Sequence, residues 1–156
     1  SSPGEASQDF AIRWLREKRI EATPESWVWA SWAKLSAAED SLVRAAAIER
    51  LGRHQGETRG QNILLERIAL ETNEELRVAA LNQLEGPGEG IETILTASQS
   101  TSPAVRGATA RLLQFGEDDA SRTRLDELSR DDVRKVKRAA KKALRKRNKR
   151  ERNQRP

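Results

Sequence analysis

The 156-residue chain contains no cysteine, no methionine and no tyrosine, and its only histidine is His54. Without cysteine, the chain cannot form a disulfide framework, a thiolate zinc site or a thiol nucleophile. A single histidine excludes a His-rich metal site, and we expect this one to be exposed in a glycine-flanked loop. No uncharged stretch approaches the roughly 18 apolar residues that a membrane span needs.

The common enzyme motifs are missing as well. The glycine-rich run 86–90 lacks the lysine of a phosphate-binding loop and is typical of a turn between helices. No nucleophile-elbow pattern occurs, and no secretory apolar segment is present. We therefore expect a non-catalytic protein without a cofactor or a metal, located in the cytoplasm.

The basic residues are concentrated at one end of the chain. The formal net charge is +5, but residues 131–156 contain 13 Lys/Arg and 3 Asp/Glu. That segment therefore carries a net charge of +10 and the remainder −5. The charge pattern predicts an acidic body with a basic end.

A short pattern recurs four times along the chain. A branched apolar residue is followed by a cation, then by any residue, then by Ala, with Leu further on, in the segments 42–52, 76–84, 105–113 and 136–144. The cations Arg44, Arg77, Arg106 and Lys137 are spaced by 33, 29 and 31 residues. A period near 31 fits one helical hairpin, with two helices of about 12 residues and two short turns.

Residues at the predicted helix ends agree with this organisation. Most glycines fall between the repeats, where a helix C-terminus favours positive φ. Cap-type residues precede each repeated segment, and Ser102 followed by Pro103 is a favoured pair for a helix start. Strand patterns are nearly absent, so we predict an all-α fold. We expect disorder over residues 1–7, a helix over 8–19 and a further helix from Thr23-Pro24 to about residue 37.

The recurring pattern Leu/Val-Arg-x-Ala-Ala-x-x-x-Leu-Gly resembles the HEAT-like repeats of the bacterial phycobilisome-lyase type. The resemblance covers residues 39–147 and, by inference, 23–38, and it implies an α-solenoid. With the N-terminal helix we predict a short HEAT-like α-solenoid of about four helical hairpins over residues 8–147, and the charge pattern adds a basic tail over 148–156. Second helices would line a concave face. The family's usual Asp before each repeat is matched only by Asp40, so a regular Asp–Arg ladder is not expected.

Two sets of apolar positions are predicted to form the helix contacts. Small residues permit close approach of neighbouring helices, and leucines fill the space beneath them. The predicted small positions are Ala46, Ala79, Ala108 and Ala139. The predicted leucines are Leu51, Leu84, Leu113 and Leu144.

Two groups of residues are candidates for binding a protein partner. The cations Arg44, Arg77 and Arg106 would form a row in stacked hairpins, either as structural caps or as a basic ridge. Trp27, Trp29 and Trp32 lie on one helix, where Trp14 and Phe10 of the preceding helix either cover them or leave an exposed anchor. The main functional expectation is an interaction scaffold that binds a protein through its concave face and this N-terminal end.

The alternative expectation is a nucleic-acid-binding module at the basic end. Its cations would contact phosphates, and without interleaved aromatic residues they would do so with little sequence preference. A solvated helix face with a disordered tail, an acidic protein partner and an anionic membrane surface also stay open. The candidate residues are Lys137, Lys141, Lys142, Arg145, Lys146, Arg147, Lys149 and Arg150.

Overall fold

The computed structural model describes residues 3–17 and 24–156, and this part of the chain is helical without any strand. Side chains are described from Ser7 onward. The all-α prediction is thus confirmed. The helices are α1 (Pro3–Leu15), α2 (Ser26–Ser36), α3 (Ser41–Gly52), α4 (Thr58–Leu70), α5 (Glu74–Gln83), α6 (Ile91–Ala97), α7 (Pro103–Leu113), α8 (Asp119–Leu128) and α9 (Arg134–Gln154).

The helices pack as four consecutive pairs arranged in two rows. Each pair joins neighbours in the chain, namely α2 with α3, α4 with α5, α6 with α7 and α8 with α9. The second helices form one row, in which α3 contacts α5, α5 contacts α7 and α7 contacts α9. The first helices form the other row, from α2 through α4 and α6 to α8, and α1 packs on α3.

The polar residues predicted at the helix starts act as N-caps. The carboxylate of Asp40 accepts the backbone N–H groups of Leu42 and Val43 at 2.9 and 3.0 Å. Asn73 caps α5 and Ser102 caps α7, with Pro103 as the first helical residue. Each cap gives a hydrogen-bond partner to an N–H group that the helix itself leaves unpaired.

In three of the four repeats the fully buried small residue lies one position later than predicted, and in the first repeat both positions are buried. Ala47, Ala80 and Ala140 are fully buried, and Thr109 occupies the equivalent place in α7. Of the predicted positions only Ala46 is buried, whereas Ala79, Ala108 and Ala139 are half-buried. In those three repeats the prediction was wrong by one residue, because two adjacent small residues do not reveal from sequence which of them faces the neighbouring helix. Leu51, Leu84 and Leu113 are buried as predicted, and Leu144 is half-buried.

Helical structure extends further at both ends than the sequence predicted. Residues 3–7 belong to α1 rather than to a disordered segment, and α1 ends at Leu15. At the other end α9 continues through Gln154, so the basic tail is helical. The second helix begins at Ser26, while Arg19 and Thr23 lie outside the described residues. Positive φ occurs in the described part only at Gly88, so the positive φ expected at the glycines between the repeats is found at this one alone.

Candidate functional site

The tryptophans of α2 divide between the core and the surface. Trp32 and Trp29 are buried, with their ring centroids 5.2 Å apart in an edge-to-face arrangement. Trp27 is 61% exposed and donates its indole N–H to Glu25 at 2.8 Å. Of the three tryptophans predicted to bind a protein, the structure therefore leaves only Trp27 accessible. Trp32 packs against Trp14 of α1, and His54 after α3 lies against both buried rings.

His54 is a packing residue and not the exposed loop histidine that the glycines around it suggested. Its side chain is 10% exposed, and its ring lies 4.9 Å from the ring of Trp32 and 5.8 Å from that of Trp29. Its Nδ1 is 3.1 Å from the carboxylate of Glu57. The prediction failed because the loop after α3 folds back over α2.

An apolar groove runs between α1 and α2. Trp14 stacks on Trp27 with ring centroids 6.4 Å apart, and Phe10 is 70% exposed beside them. Lys34 and Leu35 close the other side of the groove, which encloses about 470 Å³. The accessible aromatic surface at this end thus combines Trp27 with Phe10. From the sequence, Phe10 was expected only to cover the tryptophans of α2.

Arg44 and Arg106 each link two helical pairs through a carboxylate. The Nε of Arg44 donates to Glu71 at 2.9 Å, and its Nη1 donates to the carbonyls of residues 38 and 39. Arg106 repeats this geometry with Asp131 at 2.9 Å and with the carbonyls of residues 100 and 101. We call each such arginine–carboxylate link a rung. The described part of the chain contains two rungs and, at Arg77, a gap between them, so the ladder is not regular. The acids of the rungs stand two residues before the N-caps and not at the cap position.

The charges of the second rung stabilise each other. The hydrogen bond to Asp131 raises the pKa of the Arg106 guanidinium, although burial acts against it. The same hydrogen bond holds the pKa of the Asp131 carboxyl below its usual value. Both side chains of this rung are mostly shielded from solvent. These contacts favour the structural alternative for Arg44 and Arg106 over a free basic ridge.

Arg77 occupies the same place in the intervening unit but has no carboxylate. Its Nε donates to the carbonyl of Ile68 at 3.0 Å, which is the one hydrogen bond of its side chain with the described residues. The residue in the place of Glu71 and Asp131 is Ser100. Lys137 stands in the corresponding place of α9 and is half-buried.

A second set of arginines binds carbonyls at the ends of helices two positions earlier in the chain. Arg111 of α7 donates to Leu81 at 2.9 Å, and Arg124 of α8 donates to Ser98 at 2.6 Å. Arg150 of α9 does the same to Gln114 at 2.9 Å. Arginine near a helix C-terminus satisfies unpaired carbonyls and opposes the negative end of the helix dipole.

Arg50 extends this pattern to α1, with an unusual degree of burial. It is 2% exposed, donates to the carbonyl of Glu17, and lies 5.2 Å from the ring centre of Trp32. Burial lowers the pKa of its guanidinium, as does Arg53 more weakly. No pattern in the sequence distinguished Arg50 from Arg53, the exposed arginine that follows α3.

Nine cations of α9 form one continuous surface, which we call the cationic face. All nine are exposed, and at 100° per residue they occupy a sector of about 140° around the helix axis. At 1.5 Å per residue the face is about 27 Å long. It consists of Arg134, Lys135, Arg138, Lys141, Lys142, Arg145, Lys146, Lys149 and Arg152.

The cationic face lacks counter-charges of its own. The one acid of α9, Glu151, is directed away from the face and pairs with Arg122 at 2.8 Å. None of the nine cations makes an ion pair or a side-chain hydrogen bond with the described residues. They therefore differ from Arg44, Arg106 and the arginines that bind helix ends, which are used by the fold itself.

Five of the eight predicted nucleic-acid contacts lie on the cationic face: Lys141, Lys142, Arg145, Lys146 and Lys149. The other three lie elsewhere on the helix. Arg150 is bonded to Gln114 at 2.6 Å and stacks over Phe115, and the side chain of Arg147 is only 12% exposed. Arg134, Lys135, Arg138 and Arg152 were missed, although helical spacing from Lys141 would have placed them on the same side.

Other kinds of site find no support in the described residues. No group of three or more potential metal ligands comes together there. None of the helices in 3–17 and 24–156 combines the length and apolarity required to cross a bilayer. Comparisons with family models, curated proteins and solved structures found no match to the chain.

Proposed function

We propose that this chain is a non-catalytic module that binds the phosphate backbone of nucleic acid through the cationic face of α9. The observation that carries the proposal is a row of nine exposed cations on one helix, none of which makes an ion pair or a side-chain hydrogen bond with the described residues. Such a surface attracts polyanions and releases their condensed counterions on binding. Residence in the cytoplasm stays a prediction.

We further propose that the helical pairs form a short HEAT-like α-solenoid. Two observations support this: the helices pack in two rows of successive neighbours, and rungs recur at equivalent places.

In such an array the outer helix needs a polar face for solubility. Solubility is served by mixed charges, however, whereas the cationic face carries a single sign. That difference favours binding over simple solvation.

The absence of aromatic residues on the cationic face defines the mode of binding. Base stacking needs exposed rings, and direct readout needs side chains that enter a groove. One side of α9 is occupied by α7 and α8, so the helix cannot enter a groove deeply. We expect contacts along the backbone, over about eight phosphates per strand at 3.4 Å each.

A salt titration tests this proposal. Fluorescence anisotropy with a 20-base-pair DNA duplex and an RNA duplex should give a steep decline of affinity with salt. Replacing Lys141, Arg145 and Lys149 by Gln should lower affinity on the order of 100-fold and make the log–log salt slope shallower by about 3. The matched control replaces three exposed cations elsewhere, Arg53, Arg59 and Arg130. Equal losses in both triple variants would contradict a specific role for α9.

A protein partner at the groove between α1 and α2 is the second candidate. Exposed aromatic residues are unusual on a chain with only six of them, and aromatic side chains dominate protein-binding hot spots. Benzoylphenylalanine placed at Trp27 should cross-link a defined partner in cells, whereas the same group at exposed Leu42 should not. Identical products from both positions would remove this candidate.

A further inference from the structure

The three turns that precede α5, α7 and α9 place one side chain in the same position. In each turn, the residue two before the N-cap accepts the backbone N–H of that cap. Glu71 accepts from Asn73 at 3.1 Å, Ser100 from Ser102 at 3.1 Å and Asp131 from Val133 at 2.9 Å. The three side chains are thus equivalent, but the middle one has no charge.

The arginine that would face the middle position is present. Arg44, Arg77 and Arg106 each stand four residues after an N-cap. Arg44 and Arg106 bind the acids of the following units, while neither Nη of Arg77 has a partner among the described residues. The Nη1 of Arg106 also donates to the carbonyl of Ser100 at 3.0 Å, so a second guanidinium lies at this turn.

We propose that Ser100 is a phosphorylation site and that its phosphate completes the missing rung with Arg77. A protein kinase would transfer the γ-phosphoryl group of ATP to Oγ, with release of ADP and of the hydroxyl proton. Phosphoserine carries about −1.5 to −2 charges and three acceptor oxygens, which suit the fork of an arginine. The modification would link the third helical pair to the second through an ion pair, as Glu71 links the second pair to the first and Asp131 links the fourth pair to the third.

The side chain of Arg77 borders open space at the end of α6. A cavity of about 220 Å³ adjoins its side chain, bordered by Thr96 and Ala97 at the end of α6. Glu92 also borders this cavity, but no ion pair joins it to Arg77 in the described part of the chain. Because Glu92 would compete with a phosphate, the variant Glu92→Gln should strengthen the effect of the modification.

Thermal unfolding of the full chain with genetically encoded phosphoserine at position 100 tests the pairing. We expect the midpoint to rise by about 2–4 °C relative to the unmodified chain. The rise should vanish in Arg77→Gln and should be absent when phosphoserine replaces Thr101, one residue away. No rise at position 100, or an equal rise in Arg77→Gln, would overturn the proposal.

A phosphorus NMR titration distinguishes direct pairing from a general effect on stability. The second pKa of phosphoserine, near 6 when free, should be lower at position 100 and return toward 6 in Arg77→Gln. An unchanged value in both chains would show that the phosphate stays solvated. Peptide mass spectrometry of the protein from its native cells should find phosphate on Ser100, and phosphate confined to other hydroxyls would refute the site.

Discussion

At the scale of single residues, arginine has two structural roles in this protein that the net charge of the chain does not reveal. Arg44 and Arg106 bind carboxylates of the next unit, and Arg111, Arg124 and Arg150 bind carbonyls at helix ends. Both roles use the planar fork of the guanidinium, which lysine cannot reproduce. These five arginines are therefore used by the fold and are not free to bind a partner.

The rung at Asp131 makes the stability of the folded chain depend on pH in the acid range. The pKa of the Asp131 carboxyl is lower in the folded chain than in the unfolded chain. Its contribution to the free energy of unfolding is therefore complete above the pKa of the unfolded chain, near 3.9, and is lost as the pH falls through the pKa of the folded chain. Asp131→Asn should lower the free energy of unfolding at pH 7 by about 1–3 kcal/mol. It should also make the decline between about pH 5 and pH 2 shallower.

Urea denaturation at a series of pH values measures this dependence. The exposed neighbour Asp132 provides the control, since Asp132→Asn changes the same charge without breaking a rung. Parallel acid profiles for the parent and Asp131→Asn would mean that the rung does not stabilise the folded chain.

At the scale of helices, close packing within the second-helix row depends on the alanine that is fully buried. Ala80 has no exposed surface, whereas Ala79 is only half-buried. Ala80→Leu should destabilise by about 1–3 kcal/mol or more because added methylenes have no space. Ala79→Leu should lower the free energy of unfolding by clearly less than Ala80→Leu. Chemical denaturation of the two single variants compares them directly, and equal losses would refute the assigned register.

The docking of α9 on α7 is a second property of the helices. Arg150 binds the side chain and the carbonyl of Gln114 and stacks on Phe115, which secures the last turns of α9. Arg150→Ala should lower the free energy of unfolding by about 1–2 kcal/mol. Lys149→Ala, on the exposed side, should change it by less than about 0.5 kcal/mol. Hydrogen exchange should show faster opening of residues 148–154 in the first variant only.

The sequence predicted the helical pairs more accurately than the surfaces. Periodicity, caps such as Asp40 and Ser102, and buried leucines are local signals, and they placed the helices well. The position of His54, the burial of Arg50 and the contact of Arg150 with Gln114 depend on residues 22 to 36 positions away in the chain, which no local pattern reveals. The cationic face was predicted in part because helical spacing alone determines it.

At the scale of the whole molecule, the two candidate surfaces lie at opposite ends of the helical array. The groove with Trp27 belongs to the first helices, and the cationic face belongs to the last. The net charge of −5 outside residues 131–156 would repel a polyanion from the rest of the body. A nucleic acid bound at α9 would therefore leave the aromatic groove free for a second partner.

The helical state of residues 148–154 has a thermodynamic consequence for any ligand of α9. A basic tail that folds on binding would bury apolar surface and order its backbone, giving a large negative heat-capacity change. Here the helix is already formed and docked, so we expect binding to an RNA or DNA duplex to show a heat-capacity change close to zero. Isothermal titration calorimetry at several temperatures measures it, and a strongly negative value would indicate that α9 or its neighbours refold on the ligand.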